Sequence, residues 1–149
     1  MAVRMELSRI LIRELNDYQI IELREVSEGT SGPPQEEGVA PRTFPIVIGL
    51  PEAQAIERRL KGSVIKRPQT HDLLAGVISR LGGKLQSITI SDLQDHTFFA
   101  TLDVLHAGEM IRIDSRPSDA IALGIAENVP IYVEEHVLSA ASEEPEENA

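Results

Sequence analysis

There is no cysteine in the chain, so disulfides, thiolate zinc sites and a cysteine nucleophile are all excluded. Tryptophan is absent as well, and aromatic residues make up only 3% of the sequence. Leucine, isoleucine and valine must therefore fill the core, and a platform stacking several bases on rings is not expected. Positive charge is scarce: 14 Lys and Arg stand against 24 Asp and Glu, for a formal net charge of −10. That balance speaks against tight nonspecific binding to a nucleic-acid backbone, which needs clustered cations. No apolar run approaches membrane-spanning length and no apolar h-region follows Met1. The expectation is a cytoplasmic protein with no membrane partner.

The 149 residues suit one ordinary domain, and 42% of them are hydrophobic, enough for a real core. The acidic excess is uneven. Glu143, Glu144, Glu146 and Glu147 crowd the C-terminal end, and Glu28, Glu36 and Glu37 sit in a Gly/Pro-rich stretch. A local basic patch therefore has room to exist elsewhere.

Alternation over Met5–Glu14 and Gln19–Val26 predicts two strands joined as a hairpin. Residues 27–42 hold three glycines and three prolines without an apolar period, which predicts a mobile loop. Thr43–Ile48 reads as a short strand, and Pro45 confines it to an edge or a bulge. Pro51 and Gly62 bracket a helix with Ala55, Ile56 and Leu60 on one stripe and Glu57, Arg58, Arg59 and Lys61 facing out. Thr70 is placed to cap the next helix, whose stripe is Leu73, Leu74, Val77, Ile78 and Leu81. A meander follows over Lys84–Ser91, Thr97–Leu105 and Met110–Asp114. The helix Arg116–Glu127 is apolar nearly all round, hence buried, and Ile131–Val133 is a short closing strand. The fold class is thus α+β, a mostly antiparallel sheet with about three helices in the order β-β-β-α-α-β-β-β-α-β. Arg67-Pro68 and Arg116-Pro117 each precede a helix, which is compatible with an internal duplication. The folded domain is expected to span residues 1–138, with residues 139–149 as a disordered acidic tail.

Chemistry concentrates at two helix starts, where unpartnered N–H groups and the dipole favour anions. At Asp114-Ser115-Arg116-Pro117-Ser118-Asp119 two readings stand. In the structural one, Ser115 or Ser118 caps the helix, Asp119 complements the dipole and Arg116 pairs with an acid. In the functional one, Asp114 and Asp119 bind Mg²⁺ or Mn²⁺ while Arg116 meets a phosphate. His71-Asp72 is likewise either a helix-start pair or a proton-moving imidazole oriented by an acid. Asp103, Arg112 and Asp114 fall on one sheet face, as an ion-pair ladder or as a polar floor. There is no phosphate-binding G-x-x-x-x-G-K loop, no G-x-S-x-G elbow and no H-E-x-x-H.

Several blocks taken together carry a family resemblance. They are Arg67-Pro68-Gln69-Thr70-His71-Asp72-Leu73-Leu74, Gly82-Gly83, Ile88-x-Ile90-x-Asp92-Leu93, Thr97-Phe98-x-Ala100, Ile113 to Leu123, and Pro130-Ile131-Tyr132-Val133. In these the chain resembles the bifunctional nuclease domain family, formerly a domain of unknown function, over about Met5 to Leu138. The resemblance implies an α+β domain that self-associates, with a homo-oligomer such as a dimer as partner. It also implies a nuclease acting on RNA or DNA, since plant members carry both activities.

Joined to the residue reading, this makes His71, Asp72 and Arg116 the candidate catalytic groups. Arg67, Arg112 and Ser118 are the candidate substrate contacts, and Asp114 and Asp119 the candidate ligands for Mg²⁺ or Mn²⁺. The alternative function is a non-catalytic homo-oligomeric module binding an anionic ligand or a protein partner.

Overall fold

A computed structural model describes residues 1–13, 15, 18–26 and 40–143. Alternating side chains form β1 (Ala2–Leu11), β2 (Tyr18–Glu25) and β3 (Thr43–Gly49), followed by helices α1 (Leu50–Leu60) and α2 (Thr70–Arg80). The second meander is β4 (Gly83–Gln94), β5 (Thr97–His106) and β6 (Glu109–Ser115), followed by α3 (Pro117–Glu127). The chain then adds β7 (Ile131–Glu134) and α4 (Glu135–Glu143).

Among the described residues, seven strands join one sheet in the order β3-β2-β1-β7-β4-β5-β6. Two three-stranded meanders thus form two wings, with the four-residue β7 between them. It runs antiparallel to β1 and parallel to β4, and every other pairing is antiparallel. Each wing is followed by a helix with proline in its first turn, α1 and α3. The Arg-Pro correspondence does not follow this division, because Arg67-Pro68 leads into α2 rather than α1. Pro45 sits on β3, which is indeed an edge strand.

The strands turn their apolar residues to one face. Met5, Ile21, Leu23, Phe44, Ile46, Ile88, Ile90, Ala100, Leu102 and Val133 are all buried there. Burial of this aliphatic surface is the main stabilising term, at roughly 25 cal/mol per Å² removed from water. The sheet curls, so that Phe44 on β3 meets Phe98 on β5 with ring centroids 5.5 Å apart. Helix α3 lies on β4 and β5, with α1 and α2 packed against it. Gly124 lets it approach closely, since a Cβ there would lie 3.3 Å from Ile88 Cγ1.

Among the described residues the helix count is four rather than three. Helix α4 occupies residues 139–143, which the sequence reading places in the tail; residues 144–149 lie outside the described part. Val137, Leu138 and Ala141 recur at helical spacing and pack on the core, a stripe hidden among acids. Residues 27–39 of the expected mobile loop also lie outside the described part. Its end is anchored: Arg42 donates to Glu25 Oε2 at 2.9 Å and to Glu135 Oε2 at 2.7 Å.

These bonds to Arg42 hold the Glu25 carboxyl below its usual range and bring that of Glu135 down to about 2, where Ser139 also contributes. A carboxylate whose folded value is depressed stabilises above its unfolded value and loses that contribution as pH falls through the folded one. The wild-type melting temperature should therefore drop as pH falls from the ordinary carboxylate value of 4.5 toward about 2. In Arg42→Met this acid limb should be flatter, as read by calorimetric melts across that window.

Candidate functional site

Helix α2 begins with a reciprocal capping box. Gln69 is the cap: its side chain accepts from the backbone of Asp72, and its own N–H donates to Asp72 Oδ2 at 3.0 Å. Thr70, expected as the cap, is instead the first helical residue. The Gln69 side chain supplies an acceptor one position earlier and takes that role. Asp72 is thereby fixed, and it forms an ion pair with Arg59 of α1. Arg58 donates from Nε to Gln69 Oε1 at 3.0 Å, so two α1 arginines converge on the α2 start.

Helix α3 begins differently. Arg116 is the capping residue in extended conformation, with no side-chain cap bond, and Pro117 sets the first turn. Neither Ser115 nor Ser118 takes the expected capping role. Ser115 donates to the Arg116 carbonyl at 2.9 Å, and Ser118 is buried. Asp119, one turn in, takes Arg116 Nε on Oδ2 at 2.9 Å and His71 Nε2 on Oδ1 at 3.1 Å. Arg116 also reaches Glu52 Oε1 of α1 at 3.6 Å. Folding thus joins two sequence-distant helix starts through one carboxylate. Burial pushes the Asp119 carboxyl up, but the Arg116 and His71 hydrogen bonds outweigh it and leave it below the usual range. The carboxylate form persists, with both oxygens occupied.

These groups line a cleft of about 300 Å³ that holds Glu52, Arg58, Arg59, Thr70, His71, Asp72, Arg116 and Asp119. Of the candidate catalytic residues, His71, Asp72 and Arg116 are all present in it. Arg67 lies in an adjoining groove with Lys66, and Arg59 and Asp72 border both spaces. Glu52, Arg58 and Arg59 escape the sequence reading, which assigns the arginines to a solvated helix face. The run Arg58-Arg59-Leu60-Lys61 to Lys66-Arg67 was the available signal, an island of cations in an acidic chain.

Arg112 and Asp114 are elsewhere. In the register of β5 with β6 they stand opposite Asp103 and Thr101, on the face turned away from the core and from α3. Neither lines the cleft. Asp103, Arg112 and Asp114 do share a face, but no ladder joins them. Asp103, only 5% exposed, accepts from Ser87 at 2.8 Å, Thr89 at 2.6 Å and Thr101 at 2.8 Å. Three hydroxyls satisfy it without Arg112. Asp114 and Asp119 are thus not brought together as a ligand pair, and Asp119 spends both oxygens on Arg116 and His71. Among the described residues no three His, Asp or Glu side chains are grouped to hold a metal. The pair does not fit one Mg²⁺ or Mn²⁺ ion.

The profile of the bifunctional nuclease domain matches residues 35–146. The chain belongs to the bifunctional nuclease domain family. The match takes in both helix starts, the whole second wing and β7. Two proteins of Mycobacterium tuberculosis, from strain CDC 1551 and strain H37Rv, are each 44% identical to the chain over 100 residues. Both are described as uncharacterized. The aligned region is 67% of this chain and 59% of each relative, so it spans about three-fifths of their length. Among the described residues, no helix of this bifunctional nuclease domain is long and apolar enough to cross a membrane.

Proposed function

We propose that the cleft between the α2 and α3 starts hydrolyses phosphodiester bonds of RNA or DNA. The observation that carries this reading is His71, 17% exposed, held on the Asp119 carboxylate beside Arg116. A carboxylate accepting from Nε2 fixes the imidazole tautomer and leaves Nδ1 to take a proton from an attacking water or hydroxyl. Asp119 then stabilises the imidazolium that forms. Arg116 and Arg58 offer charge-assisted donors to the phosphate oxygens as negative charge develops. Five cations, Arg58, Arg59, Lys66, Arg67 and Arg116, line this cleft and its neighbour against four acids, Glu52, Asp72, Asp119 and Glu127, so the acidic excess of the chain does not extend to this surface. Membership of the bifunctional nuclease domain family supports the same reaction class. No step in this reading passes through a divalent cation.

The test is cleavage of labelled single-stranded RNA, single-stranded DNA and duplex DNA, each with Mg²⁺, with Mn²⁺ or with EDTA. Wild type should cleave at least one substrate. His71→Gln should lose about 10²-fold or more in rate with an unchanged melting temperature. Retained cleavage in EDTA would match the cation-free reading, and cleavage strictly dependent on Mn²⁺ or Mg²⁺ would reinstate a metal. No cleavage of any substrate would overturn the nuclease reading in favour of an anion-binding module, which oligonucleotide titration would then measure.

A further inference from the structure

The two edges of the sheet are built differently. On β3, Pro45 removes a ladder donor and blocks pairing, a common protection of sheet edges. On β6 there is no such device. The strand pairs with β5 without a bulge, contains no proline or lysine, and is exposed along its length up to Asp114. Its core-side residues Ile111 and Ile113 are 40% and 42% exposed.

Beside them stands α2. Its Ile78 and Val104 of β5 both crowd Gly83, and Val104 is the β5 partner of Ile111. Leu73, Leu74, Val77 and Leu81 of α2 are left exposed. A regular edge strand flanked by uncovered aliphatic side chains is an interface lacking its partner.

The charges on β6 identify that partner. Among the described residues, Arg112 and Asp114 make no hydrogen bond or ion pair. They project from the same face two positions apart. A second copy pairing antiparallel, with the twofold axis through Ile113, sets Arg112 of each copy opposite Asp114 of the other. Ile113 then faces its own equivalent, and Ile111 faces Ser115. An axis through Arg112 would oppose like charges, and one through Ile111 would set Glu109 against Ile113. Only the first register satisfies both charges and apolar alternation.

The backbone agrees with this. Ala107 and Gly108, both with positive φ, form a two-residue hairpin turn, so His106 and Glu109 form its closing hydrogen-bonded pair. By alternation, the amides and carbonyls of Met110, Arg112 and Asp114 point away from β5, toward the free edge.

We propose that β6 pairs with β6 of a second copy about Ile113, closed by two reciprocal Arg112–Asp114 ion pairs, to give a continuous fourteen-stranded sheet. This is independent of the nuclease reading, since the cleft lies on α1, α2 and α3.

Sedimentation of the full chain tests it. Wild type should run at twice the monomer mass. Arg112→Asp and Asp114→Arg should each run as folded monomers, because each puts like charges opposite one another. Combining the two should restore the dimer. The chain has no cysteine, so Ile113→Cys should oxidise to a covalent dimer, whereas Arg112→Cys should not. A monomeric wild type, or single charge reversals that leave a dimer intact, would overturn the proposal. So would failure of Ile113→Cys to cross-link, which also decides the matter if a charge reversal fails to fold.

Discussion

Asp119→Asn should reduce phosphodiester cleavage by about 10²–10⁴-fold while leaving the fold in place, the range expected when a positioned acid–base group is lost or misaligned. The reason is the donor count. Both partners of Asp119 donate, His71 through Nε2 and Arg116 through Nε. An asparagine amide has one accepting end and one donating end, so it opposes a donor with a donor on one side. Either His71 turns to its other tautomer or Arg116 lets go. In the proposed reaction Asp119 acts through His71, as a positioning residue. Its signature is non-additivity: Asp119→Asn combined with His71→Gln should be no slower than His71→Gln alone, because the two work as one unit. Steady-state cleavage of the best single-stranded substrate measures this. Two independent, multiplying losses would show that Asp119 serves only the α3 start.

The largest effect on stability is expected from Phe44→Ala, at about 3–5 kcal/mol. Phe44 is fully buried and among the largest side chains of the core. It is also the contact by which the curled sheet brings β3 to β5, through Phe98. Removing it opens a cavity where two wings meet, a place that cannot collapse without uncurling the sheet. An aromatic pair adds about 0.5–1.5 kcal/mol beyond its buried area. Against a total of about 5–15 kcal/mol for a domain of ordinary stability, the loss is a large fraction. Urea denaturation should show a lower midpoint with an unchanged slope. Phe98→Ala should cost less, since Phe98 is only partly buried.

The strands were legible because alternation is a local property, and Pro45 announced an edge by chemistry alone. Helix α3 was legible as buried, since an apolar residue on every side leaves no solvent face. The stripe on α2 was legible as a stripe, but periodicity does not say what covers it, and its own chain leaves most of it bare. Helix α4 was missed because its acids resemble a solvating tail. At the site, His71 and Asp119 were singled out separately, and only the packing of α2 on α3 joins them. The placement of Asp114 is legible from strand alternation: it shares a face with Arg112, opposite Ile111 and Ile113, and so points away from α3. The cleft position of Arg58 and Arg59 is not legible, because a helix face next to a cleft and one next to water carry the same residues.

The four residues of β7 have a consequence for how the chain comes together during synthesis. Each wing is a run of neighbouring hairpins that can zip as it emerges. The seam between them cannot, because Val3 pairs with Val133 and Ile88 with Ile131. A growing chain must therefore hold two unjoined half-sheets, each with a raw margin, until β7 has been made. The long-range closure that follows is the slow kind. This interval, rather than the finished molecule, is when the protein is most open to aggregation.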